Sequence, residues 1–310
     1  MTLVREYDAA TAPKGVLRHI LPIVHYPAVI WQNRYMIQNF LRRDLMGRSH
    51  GSLLGMWWML INPLVMFTVY FLVFGMFLGN WKFGQAPDPT FAIYLFSGVI
   101  VFNSLVEATS QCCQIVVDNG NLVKKVAFPS EALVVHVGLV SMVLYLVGAI
   151  VCVPVGMLLQ VNHGGVTSTV LHPTWLLLAL PLVLAVQFAM TIGIGLLLAN
   201  LYVFVRDVSQ LWRIATMIWM FLTPVFWTPD VIAKKDFPEW FTGILAHGNP
   251  AAPLLQAHRL AIGFQNPPDG TAVFGDFWQQ LGFATAWAVG FLVLGYSTFM
   301  ASKHKYADLV

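Results

Sequence analysis

ALVVHVGLVSMVLYLVGAIVCVPVGMLLQ (Ala132–Gln160), VNHGGVTSTVLHPT (Val161–Thr174) and WLLLALPLVLAVQFAMTIGIGLLLANLYVFV (Trp175–Val205) follow one another without a single Asp, Glu, Lys or Arg. Apolar runs of this length do not suit the core of a soluble domain, whereas a helix crossing a bilayer needs about 20 consecutive apolar residues. Gly, His, Asn and Pro in the middle segment break the run, so it divides into two crossings. A second stretch free of charge extends from Ser49 to Trp81. The chain of 310 residues is 58% hydrophobic and 10% charged, against about 25% charged in an ordinary globular domain. It reads as an all-α polytopic membrane protein.

Six transmembrane helices are expected, at about Leu53–Leu78, Phe91–Ile115, Ala132–Gln160, Trp175–Val205, Val208–Trp227 and Phe277–Ala301. Thirteen Lys and Arg residues then fall on one side of the membrane: seven before the first span, Lys124 and Lys125, Arg206 and Arg213, and Lys303 and Lys305. The other side holds four, namely Lys82, Lys234, Lys235 and Arg259. The positive-inside bias makes both termini cytoplasmic. The division is a cytoplasmic extension (1–27), a single transmembrane domain (28–301) and a cytoplasmic tail (302–310). The extreme start, MTLVREYDAATAPKG, carries charge and no apolar h-region, so no cleavable signal peptide is expected.

Ala28–Met46 contains no Pro or Gly and is expected to form an amphipathic helix. At 100° per residue Gln32, Asn39, Arg42 and Arg43 share a polar arc, while Ile30, Ile37, Phe40, Leu41 and Leu45 occupy much of the rest, with Arg34 and Asp44 spoiling the stripe. Such a helix can lie in the cytoplasmic headgroup layer, either as a plain anchor or as a contact surface. Between the last two spans, Thr228–Asp276 mixes charge with two short apolar stretches, WFTGIL and PLLQAHRLAIGF. These are too short to cross and suit either periplasmic re-entrant helices or a folded external loop.

The absences narrow the function. Ion-driven transport usually places ionisable groups inside the bilayer, yet the interiors of spans one, three, four and six hold no Asp, Glu, Lys or Arg. His136, near the start of span three, reads as a packing or interfacial residue. No GxxxxGK[ST] phosphate loop occurs. The three cysteines suggest neither a disulfide framework nor a metal site. Asp44 and Asp207 each neighbour an arginine and read as structural ion pairs or contact points, with Arg206 and Asp207 as a cytoplasmic pair. Paired acids or a Ser/His/Asp set, which a membrane enzyme would need, are missing. The chain moves or holds something, is not an enzyme, and draws energy from another polypeptide.

Several motifs in order resemble one family. FLRRDLMGRSHGSLLGMWWMLINPLVMFTVYFLVFG (Phe40–Gly75) resembles the opening of polysaccharide ABC exporter permeases, through Arg43, Asp44, Arg48, Ser52, Leu54, Gly55, Trp58 and Pro63. DNGNLVKKVAFPSEAL (Asp118–Leu133) is similar to that family's cytoplasmic segment, Arg206-Asp207 to its RD pair, Thr223-Pro224-Val225-Phe226 to its span-five proline motif, and Asn249-Pro250 to its NP step. The likeness runs from about Val29 to the C-terminus. It departs from the family in the 27 N-terminal residues and in Ser49-His50-Gly51.

The resemblance implies the membrane subunit that exports O-antigen, capsule or teichoic acid polymers from a bacterial cytoplasmic (inner) membrane. It implies a homodimer bound by two copies of a separate nucleotide-binding ATPase subunit, which would hold ATP and Mg; this chain would hold no cofactor or metal and bind no nucleic acid. The ATPases would meet Arg42, Arg43 and Asp44 on the interfacial helix and Asn121, Lys124, Lys125, Phe128 and Pro129 in the loop, although the lysines also serve as topology signals.

A lipid-linked polysaccharide must thread a continuous path, and sugar C–H faces stack on aromatic rings. Phe67, Tyr70, Phe71 and Phe74 recur at helical spacing in span one, preceded by Trp57 and Trp58. They suit a channel lining, helix packing, or an interfacial belt for the two tryptophans. Export of a drug or lipid by the same architecture is the alternative, ahead of a membrane enzyme or a scaffold without transport.

Overall fold

The computed structural model describes residues 21–47, 54–73, 89–124, 129–163, 166–229, 238–265 and 275–309. Where water is absent every backbone N–H and C=O needs an internal partner, and the Val- and Leu-rich runs accordingly form helices despite their β-branched content. The order is α1 (Tyr26–Gln32), α2 (Arg34–Gly47), α3 (Trp58–Tyr70), α4 (Thr90–Asp118), α5 (Glu131–Leu158), α6 (Leu180–Phe204), α7 (Val208–Leu222), α8 (Ala251–Ile262) and α9 (Phe277–Ser302), with several single turns between them. Among the described residues four helical segments are long and apolar enough to cross a membrane: Thr90–Asp118, Glu131–Leu158, Trp175–Phe204 and Phe277–Lys305. Each coincides with an expected span.

The remaining two expected spans carry α3 and α7. Helix α3 continues to Val73 within the described residues, and α7 stops at Leu222, where Thr223 turns extended ahead of Pro224. The polar tail TSQCCQ stays helical, carrying α4 past Glu107 to Asp118. The break expected between spans three and four is an antiparallel hairpin, β1 (Gln160–His163) on β2 (Val166–Thr169), with Gln160 opposite Thr169. The amphipathic N-terminal stretch is two helices rather than one, separated at Asn33, whose side chain bonds the Val29 carbonyl at 2.8 Å.

Helices α4, α5, α6 and α9 pack around a core that includes Phe96, Phe102, Leu105, Tyr145 and Met190, all buried. Helices α6 and α9 approach each other closely. A Cβ at Gly193 would meet the Phe291 and Leu292 backbone, and one at Gly295 would meet the Gly193 carbonyl. Small residues let membrane helices approach this closely. A second apolar cluster joins Tyr26, Ile37, Val135, Tyr296, Phe299 and Tyr306 at the end where α5 begins and α9 finishes.

Candidate functional site

The end that gathers the start of α5 and the finish of α9 also gathers most of the expected coupling residues. Helix α2 docks its apolar face on the first turns of α5: Ile37 is buried and Phe40 stacks on His136 with ring centroids 5.2 Å apart. Asp44, which interrupts the apolar stripe, reaches His136 Nε2 at 3.2 Å. The acid that spoils the helical pattern is the one that pins the helix. Arg42 and Arg43 stay exposed, and the Arg43 guanidinium lies 4.8 Å from the Phe40 ring centroid.

Other polar contacts tie this end together. Lys303 donates to Glu131 Oε2 at 2.6 Å, joining α9 to α5. The Tyr26 hydroxyl donates to the Glu131 carbonyl at 3.1 Å, and the Tyr306 hydroxyl donates to Asn200 Oδ1 at 2.9 Å. Burial, reinforced by the Glu131 carboxylate, holds both phenols well above their usual pKa, so both remain donors at physiological pH. The single turn Gly120–Val123 packs against Tyr306–Leu309. Asn121 and Lys124 are exposed there, and Pro129 is half-buried at the start of α5. Lys125 and Phe128 lie outside the described residues. Arg206 and Asp207 are exposed at the turn into α7, and no ion pair joins them among the described residues.

In α3, Phe67 packs edge-on to Phe96 of α4 at 5.4 Å and stacks on Phe71 at 6.0 Å. Phe67 and Tyr70 rest against the core, while Leu64, Val65, Met66 and Val69 face outward. The stripe therefore turns toward its own subunit. Trp57 is 67% exposed and Trp58 43%. Phe74 lies outside the described residues.

At the opposite end the two proline motifs meet. Asn249 Nδ2 donates to the Leu222 carbonyl (3.2 Å) and to Thr223 Oγ1 (3.0 Å). Its Oδ1 accepts from Trp219 Nε1 at 2.7 Å and from the Ala251 backbone at 3.1 Å. One amide thus caps the finish of α7 and the start of α8.

Arg259 completes this knot. Sequence reasoning counted it as an external cation, yet it is fully buried. Its Nη1 donates to the Pro224 carbonyl at 2.7 Å, its Nη2 to the Tyr94 carbonyl at 3.1 Å, and its guanidinium lies 3.5 Å from the Tyr94 ring centroid. The Tyr94 hydroxyl in turn donates to the carbonyls of Pro224 (3.0 Å) and Trp227 (2.8 Å). Gly98 leaves the space that the guanidinium occupies. The legible signal was an arginine inside PLLQAHRLAIGF, a stretch with no acid to pair it. Gly263, at φ +113°, closes α8 where its backbone passes His172 and Pro173, a left-handed cap that favours glycine.

Between α3, α4 and α5 lies a cavity of about 420 Å³, walled by Trp58, Asn62, Phe96, Asn103, Glu107 and Leu144 among others.

Comparison with known proteins agrees with the motifs. The profile of the ABC-2 type transporter family matches residues 35–261. The O-antigen export system permease protein RfbA of Myxococcus xanthus is 23% identical over 240 residues, covering 77% of this chain and 85% of the relative. A protein of the same name from Klebsiella pneumoniae is 23% identical over 268 residues, covering 86% and 92%. Another from Klebsiella pneumoniae is 22% identical over 217 residues, covering 70% and 76%.

Proposed function

This chain belongs to the ABC-2 type transporter family, and on that premise we propose that it is the membrane subunit of an ATP-driven exporter of lipid-linked polysaccharide. The observation that carries this reading is its likeness, over most of its length, to permeases named for O-antigen export. In this proposal the chain crosses the bacterial inner membrane six times, with both termini in the cytoplasm and Glu239–Ile262 forming re-entrant elements on the far side. Two copies make the path, and a separate ATPase, one for each copy, binds ATP and Mg and supplies the energy.

The cytoplasmic end is built to receive a push. Helix α2 is held to α5 by Asp44 and His136, so force applied at Arg42 and Arg43 reaches a transmembrane helix through a short, polar-locked contact. The exposed Asn121 and Lys124 form the second contact, at the base of α4. Movement of α5 and α4 then shifts α3 against α7 of the other copy, where the apolar faces of both helices are exposed. At the far end the Arg259–Asn249 knot keeps α7, α8 and α4 moving as one piece.

The test is deletion of the gene in its native host, followed by localisation of the long surface glycan. Polymer accumulating on the cytoplasmic face is the expected outcome. Unchanged surface glycan would overturn the polysaccharide reading.

A further inference from the structure

We propose that the cavity between α3, α4 and α5 is a sugar-ring subsite that selects uncharged or amino-sugar rings over uronates; this rests on the exporter reading and specifies its substrate chemistry. At about 420 Å³ the cavity falls within the range of ligand pockets, roughly 300–1,000 Å³. Its lining from Phe96 to Glu107 runs roughly 16 Å along α4 at 1.5 Å per residue. The site is therefore elongated along the transport direction.

Its wall combines two kinds of group that a pyranose needs. Trp58 offers an aromatic surface to C–H faces, and Phe96 lies farther along the same wall. Asn62 and Asn103 supply amides, and neither amide has a hydrogen-bond partner among the described residues. Within a membrane protein, polar side chains normally find a partner in the bundle or line a watery cavity, and both asparagines are exposed where they line this one. Two such amides on facing helices are groups waiting for a polyhydroxyl ligand. Pro63, also in the wall, has no N–H, so the Met59 carbonyl one turn earlier loses its helical donor and adds an acceptor to the same wall.

Glu107 sets the selectivity. It is held from below by Gln111 Nε2 at 3.2 Å and lines the cavity on α4. A carboxylate accepts hydrogen bonds from ring hydroxyls and favours an ammonium, whereas a second carboxylate beside it is repelled. Ser104, in contrast, is committed: it accepts from Gln187 Nε2 at 2.6 Å and donates to the Val101 carbonyl at 2.8 Å. It shapes the wall without serving the ligand.

The experiment uses the intact complex of this chain with its ATPase in lipid nanodiscs and saturation-transfer NMR with defined probes: maltohexaose, a chitosan hexamer and an oligogalacturonate hexamer. The neutral and amino-sugar probes are expected to receive saturation and the uronate to receive little. Trp58→Ala and Asn103→Leu should weaken the first two about tenfold, the equivalent of roughly 1.4 kcal/mol, while Glu107→Gln should admit the uronate. Equal response to all three probes, no response to any (a cavity filled by water alone), or no change in the variants would overturn the subsite. Surface glycan in the deletion host complemented with each variant separates the two levels. Full export by Asn103→Leu and Glu107→Gln sinks the subsite alone, whereas a deletion that leaves the glycan in place sinks the exporter reading beneath it.

Discussion

Arg259 is a buried cation whose partners, among the described residues, are two carbonyls, a hydroxyl and an aromatic face rather than a carboxylate. Its planar fork bridges Pro224 and Tyr94, which a lysine ammonium cannot reproduce. Arg259→Met removes one donor from each of two buried carbonyls, which keep the Tyr94 hydroxyl at Pro224 and the Ser97 hydroxyl at Tyr94, at a cost of about 1 kcal/mol for each lost bond. It should lower the thermal midpoint of the detergent-solubilised protein by several degrees, and Arg259→Lys should rescue only part of that. An unchanged midpoint for both would show that the contact does not hold the knot. Asn249 supplies a sharper contrast, because Asn249→Asp keeps the acceptor for Trp219 and loses the donor for Leu222. Expression should fall with Asp and Ala alike, since neither restores the donated bonds; normal yield of Asn249→Asp would contradict the capping role. Position explains why these roles were half-legible. The NP and TPVF motifs stood out in the sequence, but their junction through one amide depends on the chain returning across 26 residues, which no local pattern encodes. Arg259 was read by sign alone, and sign says nothing about burial.

The four crossing helices followed from the apolar runs because a bilayer leaves the backbone no alternative to a helix. The contact between α6 and α9 did not, since it depends on where Gly193 and Gly295 fall around two helices that are apolar on every side. Gly193→Leu should push the pair apart and abolish the folded, membrane-extracted protein. Gly290→Ala, where a Cβ meets nothing within 4 Å, should leave yield intact. Equal tolerance of both would refute the close packing. For α2, the amphipathic pattern was legible, but Asp44 looked like a flaw until His136 supplied its partner. Losing that contact costs about 1 kcal/mol, or roughly fivefold in local opening. Trypsin cleavage after Arg42 or Arg43 in inside-out vesicles should accelerate by that factor in Asp44→Ala and less in Asp44→Asn. An unaltered rate would mean that α2 is held by its apolar face alone.

As a whole molecule, the subunit exposes apolar faces on several described helices, among them Leu64, Val65 and Val69 on α3, and Leu211, Ile214, Met217 and Phe221 on α7. In the proposed dimer these two faces cover each other across the two-fold axis. Val65→Cys combined with Met217→Cys should give a cross-linked dimer under mild oxidation, and monomer alone would argue against this pairing. The most direct measurement follows the glycan itself. Inside-out vesicles containing this chain, its ATPase and pre-formed lipid-linked polymer would be given ATP, and the polymer left open to an added glycan hydrolase would be measured. Polymer should become protected from the hydrolase only when ATP and both proteins are present. Equal protection in vesicles lacking this chain would contradict its role as the exporter's membrane path.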